Sequence, residues 1–269
     1  CSVLAVLLLL SAAFSQAREA APTPCESRRI AKELLGRDRK FNYPAQPGIE
    51  GAETGILKTV VPVPKVRMNV TAVVHYPEKT GNGRVDEQLR QYAQTVLDGY
   101  LGEIREDFLA DDVEDLSPAR VKAAVLSTTF AIGRSSSRYM SVIFYHCLYT
   151  GGAHPNQTFS VLSFDLETGA RLTFTDLFPD GRADSLAEYM NNDLDRQSAA
   201  GKSARDAADI LTPEAVRERG LDNLALCSTG LIAIFAPYEQ GPYSEGTKFV
   251  SIPARGLKTP KGLDTRFWQ

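Results

Sequence analysis

Residues 121–150 read VKAAVLSTTFAIGRSSSRYMSVIFYHCLYT. Two runs within it, 121–132 and 139–150, are rich in β-branched and aromatic residues, as strands are. The polar stretch 133–137 between them reads as a turn. A link that short joins antiparallel neighbours, because a parallel crossover takes a dozen residues or more. Antiparallel sheet is therefore the scaffold against which the helices of this chain must pack.

On the N-terminal side, residues 84–109 give the clearest helix. Val85, Leu89, Tyr92, Val96, Tyr100, Ile104 and Phe108 recur at three- and four-residue steps and form one apolar face. The strongly acidic residues 111–115 follow; the acidic stretch 103–115 reads either as a solvated helix end or as a surface for a basic partner such as lysozyme. Before the helix, residues 63–76 alternate, with Val66, Met68, Val70, Ala72 and Val74 on one side of a half-buried strand, and 77–83 is a turn. Residues 26–35 suit a short helix ended by Gly36, and 37–55 is irregular and rich in Pro and Gly.

On the C-terminal side, residues 151–156 (GGAHPN) form a dense cluster of breakers. Residues 158–165 and 171–174 flank Glu167-Thr168-Gly169 as a hairpin. A second helix spans 183–194, with Ser185 and Glu188 placed for a capping box. Thr212-Pro213 opens a third helix that Gly220 closes. Residues 224–237 and 248–252 are the last strands. The sum is an α+β fold: antiparallel sheet or sheets, with a long helix and two shorter helices packed on one side. It follows a signal segment (1–17) and a leader (18–59), and is divided into lobes at 60–150 and 151–269 or built as one continuous unit.

The 269 residues carry a net charge of −3, with 43% hydrophobic and 23% charged residues, and no dense Lys/Arg run. Those are globular values, and the charge argues against a nucleic-acid binder. Residues 3–14 are almost continuously apolar, shorter than the ~20 residues of a membrane span. Ser15-Gln16-Ala17 then offers small residues at a signal-peptidase site. With no initiator Met and no positive flank, the run reads as the latter part of a signal peptide, or alternatively as an uncleaved anchor. The mature chain is expected in the periplasm or outside the cell, without a membrane span. Export permits disulfides, and of Cys25, Cys147 and Cys227 the last two lie in strand-like segments and are the preferred pair; three buried thiols are the alternative.

Signatures of hydrolytic nucleophiles and of zinc-binding helices do not occur, and nothing calls for a cofactor or a metal. His146 and Cys147 are adjacent in a strand and so face opposite sides. His154, before Pro155 in the Gly-rich turn, reads as a structural residue sooner than a ligand. The loop 238–246 concentrates Tyr238, Glu239, Tyr243 and Glu245 on Gly and Pro, fitting either binding contacts or a cover for a sheet edge. Rigid loops that follow strands are where sites are mounted. Gly151, Gly152, His154, Asn156, Tyr238, Glu239 and Tyr243 are therefore the candidate surface.

The motif Tyr149-Thr150-Gly151-Gly152-Ala153-His154-Pro155-Asn156 resembles the YTGGAHxN signature of an extracytoplasmic domain of unknown function. That domain is shared by RsiV-type lysozyme-sensing anti-sigma factors and PdaC-type peptidoglycan deacetylases, where it is not the catalytic part. The stretch 163–169 (SFDLETG) before 172–178 (LTFTDLF), the stretch 235–246 around Phe235-Ala236-Pro237-Tyr238-Glu239, and Tyr76-Pro77 resemble further parts of the same pattern, over roughly residues 60–255. The resemblance implies an envelope-binding module with a lysozyme-like protein or a peptidoglycan fragment as partner. A cell-envelope hydrolase or deacetylase with an unrecognised site is the alternative.

Overall fold

The computed structural model describes residues 53–200, 205–256 and 259–269. The expected signal segment, the short helix at 26–35 and the leader up to residue 52 lie outside the described residues; residues 53–59, expected to belong to that leader, are strand instead, because they pair along the strand Met68–Lys79. The elements run β1 (Glu53–Val63), β2 (Met68–Lys79), α1 (Gly83–Ile104), α2 (Pro118–Ala123), β3 (Val125–Arg134), β4 (Tyr139–Tyr149), β5 (Asn156–Asp165), α3 (Phe174–Leu177), α4 (Asp184–Ala200), α5 (Pro213–Arg219), β6 (Leu224–Cys227), β7 (Gly230–Phe235) and β8 (Lys248–Pro253). The architecture is α+β, in two sheets: five strands in the order β1-β2-β3-β4-β5 and three in the order β6-β7-β8. All pairs are antiparallel except β2–β3, which the α1 crossover makes parallel.

The alternation read at 63–76 holds for β2, whose Val70, Ala72 and Val74 are buried. The same pattern runs on into Pro77, Glu78 and Lys79, which belong to the strand and not to a turn. The strand's N-terminal part is in fact a hairpin. Arg67 takes a left-handed turn conformation (φ 52°), and β1 pairs back along the whole of β2. Asn82 caps α1, its side chain accepting from the amides of Arg84 and Val85. The helix buries Val85, Leu89, Ala93, Leu97, Tyr100 and Ile104, then widens into a π turn, Arg105–Leu109, that drives Phe108 fully into the core. That stripe packs on the sheet face bearing Phe130, Phe144 and Phe164. Each such ring contributes roughly 1.5–3 kcal/mol on burial.

Several local expectations are corrected. Residues 121–123, expected to open a strand, are the end of α2 instead, because Ser117 accepts from the Arg120 amide and Pro118 stands at the first helical position. The second arm of the hairpin at 171–174 is a single bridge, Arg171 opposite Phe164. Asp176 accepts from the amide and hydroxyl of Thr173 and turns the chain into α3 instead. Ser185 caps no helix; α4 has already begun at Asp184, and the Ser185 hydroxyl donates to the Lys261 carbonyl. The strand expected over 224–237 is two strands joined at Ser228-Thr229, where Gly230 passes so close to β8 that a Cβ would lie 2.0 Å from the Ile252 carbonyl oxygen. In the α+β arrangement α1 covers the five-stranded sheet, while α3, α4 and α5 enclose a second core with the three-stranded sheet.

The two sheets meet where the five-stranded one has small residues. Gly133, Ser141 and Ser163 stand side by side in register. The backbone of β6 crosses over them, with Leu226 N–H donating to Ser141 Oγ (2.8 Å), which lies 2.6 Å from Ser163 Oγ. Beyond this crossing Ala131, Ile143, Tyr145 and Val161 pack against Ala225, Cys227, Ile232 and Ile234. The preferred cysteine pair does not form. Cys227 is disulfide-bonded, and Cys147 keeps its thiol. Among the described residues no helix is long and apolar enough to cross a membrane.

Candidate functional site

β4 ends at Tyr149, and the chain turns through Gly151 (φ 134°) and Gly152 (φ 100°). The Tyr149 hydroxyl donates back to the Gly152 carbonyl (2.9 Å). Behind the turn stands Arg120, whose Nε donates to the Thr150 carbonyl (2.6 Å) while its guanidinium lies over the Phe108 ring and pairs with Asp107 and Asp115. Two of the acidic residues after α1, Asp107 and Asp115, thus pair with a side chain of the same chain. A Cβ on Gly151 would sit 2.9 Å from Arg120 Nε; on Gly152 it would meet open space. Replacing either by valine is expected to lower stability by about 1–3 kcal/mol through backbone strain. Chemical denaturation of the two variants checks this, and unchanged midpoints for both refute it.

The second loop is held from below. Glu239 folds back on its own turn, accepting from the Ala236 amide (2.6 Å) and from Arg219 (3.1 Å). Lys248, 7% exposed, pairs with Glu245 (2.6 Å) and donates to the Gln240 carbonyl (2.6 Å) and the Ser198 hydroxyl (2.9 Å). Arg205 donates to the Gln240 side-chain oxygen. Buried charges hold position only when paired in this way. Fixed below, the loop lifts Tyr238 into solvent: it is 62% exposed and left-handed (φ 73°). That conformation is costly for a side chain of this size, and such strain clusters at functional positions.

The two loops meet. The His154 ring stacks on Tyr243 (centroids 3.8 Å apart, planes at 16°), and its Nε2 is 3.0 Å from Tyr238 Oη. Nδ1 is 3.1 Å from the Pro155 carbonyl oxygen, which also accepts from Tyr243 Oη (3.3 Å). Of the candidate residues, His154, Tyr238 and Tyr243 converge, and Gly151 and Gly152 shape the approach. Glu239 serves its own turn, and Asn156 opens β5 opposite Leu148, outside the cluster.

A second polar group went unread in the sequence. His146 faces α1, opposite to Cys147, as adjacent strand residues must. Its Nδ1 lies 2.9 Å from Thr128 Oγ1 and its Nε2 3.1 Å from Tyr92 Oη; Tyr100 Oη continues the chain to Thr128 (2.8 Å) and donates to the Ser127 carbonyl. Burial pushes His146 down to about 4 and the Tyr100 phenol up. The signal available was Tyr92 and Tyr100 within the apolar stripe of the helix, since buried phenols need partners. Among the described residues no three His, Cys, Asp or Glu side chains converge as a metal site.

Over 199 residues, 72% of this chain and 78% of the other, the sequence is 26% identical to the Mycobacterium tuberculosis protein named esterase Rv3036c. Among solved structures, a DUF3298 family protein from Bacteroides fragilis covers 76% of this chain and 91% of its own at 19% identity and a TM-score of 0.47. Another from Pseudomonas aeruginosa covers 78% of this chain and 97% of its own, at 14% identity and a TM-score of 0.52. Residues 175–255, from α3 through β8 and including the Tyr238 loop, match the family described as protein of unknown function (DUF3298), and over 78% of the chain the fold is similar to that of the Pseudomonas aeruginosa DUF3298 protein.

Proposed function

We propose that this chain is an exported binding module of the cell envelope, and that His154, Tyr238 and Tyr243 are the centre of its contact surface for a wall-active protein or a wall component. The observation that carries the reading is the convergence of two loops 84 residues apart on one aromatic cluster, with Tyr238 held exposed against its backbone preference. Rigid aromatic rings with a polar tip contribute disproportionately to binding. The short apolar N-terminal run, the resemblance to the outer domain of RsiV-type proteins and the disulfide at Cys227 all suit an extracytoplasmic setting. Tyr238→Ala and Tyr243→Ala are each expected to weaken capture of a lysozyme or of muropeptides by about 1–2 kcal/mol. Isothermal titration alongside thermal melting checks this; affinity per folded molecule unchanged in both variants sinks the reading.

A second reading, hydrolysis of an ester, has one observation in its favour: a histidine and a phenol at hydrogen-bond distance on the open surface. The similarity to a protein named as an esterase supports it.

A further inference from the structure

We propose that His154 and Tyr238 are a base–nucleophile pair that cleaves short-chain acyl esters. The inference rests on the second reading above and supplies its site. The hydrogen bonds fix the tautomer. The Pro155 carbonyl oxygen can only accept, so the His154 nitrogen beside it, Nδ1, carries the proton. Nε2 is then bare, and the Tyr238 hydroxyl 3.0 Å away donates to it. A nucleophile within reach of a base, and a base oriented by a third group, is the arrangement that activates hydroxyls. Stacking on Tyr243 fixes the plane of the imidazole, and the Glu239 and Lys248 anchors fix the loop that presents the phenol.

The chemistry balances without a further reactant. Tyr238 Oη attacks the ester carbonyl carbon while its proton passes to His154 Nε2. The C–O bond to the alcohol breaks, and the alcohol leaves with that proton. Water then attacks the acyl-tyrosine, giving its proton to Nε2; the carboxylic acid is released and the phenol regains its proton. An aryl ester suits the second half, because a phenol is a better leaving group than an aliphatic hydroxyl. Because Tyr238 stands 62% exposed, its phenol can reach an acyl group carried on a larger molecule, and a long acyl chain would gain nothing from an enclosing wall.

The test is turnover of p-nitrophenyl acetate by the full chain, the Tyr238→Phe variant and the His154→Gln variant. It is combined with mapping of acetyl groups on quenched wild type. Tyr238→Phe keeps the ring and its packing and removes only the oxygen; melting curves confirm that each variant is folded. Both variants are expected to lose about 100-fold or more in turnover, with acetyl found on Tyr238 in the wild type. If wild type turns over and Tyr238→Phe keeps its rate, or acetyl is found on other residues and not on Tyr238, the pair is overturned while ester hydrolysis stands. If wild type does not exceed the solvent rate, both the pair and the hydrolytic reading fall, and the binding reading is left.

Discussion

Replacing Gly133 by valine is expected to lower the thermal midpoint by roughly 6–12 °C, the effect of about 3 kcal/mol of overpacking in a domain of this size. A Cβ at this position would lie 2.1 Å from the Leu226 carbonyl oxygen and 3.3 Å from its carbon. Both are backbone atoms of β6, held at the amide of the same residue by Ser141. Relief would require β6 to lift away, opening the core where Ile143 and Val161 meet Ala225 and Ile232. Gly99→Ala is the control. Gly99 is an exposed residue of α1 with nothing within 4 Å of a built Cβ, and alanine there should leave the midpoint unchanged or raise it. A Gly133→Val protein that melts with the wild type would show that the sheets do not depend on this contact.

Acidification is expected to destabilise the protein through His146. Its folded pKa, about 4, lies below the ordinary 6.5, and burial is the cause. The unfolded chain therefore binds the proton more readily than the folded one between these two values. The contribution is fully present above pH 6.5 and is lost as the pH falls towards 4, amounting to about 3 kcal/mol in all. The groups around the ring are the Thr128 hydroxyl, the Tyr92 phenol and Phe144, and none of them compensates a positive charge. His75 is shifted the same way by burial, so the comparison that isolates His146 is wild type against His146→Gln. Urea unfolding at pH 7.0 and 4.5 should show a markedly steeper loss for wild type. Equal losses in the two proteins would remove His146 from the account.

The Asp165 carboxylate does not confuse this window. Arg138 and the amides of Glu167 and Thr168 hold it below the ordinary carboxylate range against the opposing effect of burial, so its contribution is lost only at lower pH.

The candidate site was half legible. The residue types of GGAHPN and of the loop after β7 marked both as rigid, strand-following and polar, and two adjacent glycines announced the positive φ that both adopt. That the loops touch was not legible, because no periodicity links positions 84 residues apart. The His146 chain was missed for a related reason. A tyrosine within an apolar stripe looks like any other large core residue until the strand that faces it is known.

The sequence by itself determined the local elements whose causes are local. The apolar stripe of 84–109 wrote α1, alternation wrote β2, Thr212-Pro213 with Gly220 wrote α5, and the paired runs about 133–137 wrote β3 and β4. Tertiary structure alone decided that there are two sheets, that the helices divide between them, that Cys227 and Cys147 are not partners, and that His154 lies against Tyr238 and Tyr243. Hydrophobic pattern tells a segment which of its faces to bury, but not against what. That choice is made where backbones can approach closely enough to pack. In this protein the place is the row of Gly133, Ser141 and Ser163, where the absence of large side chains lets β6 cross.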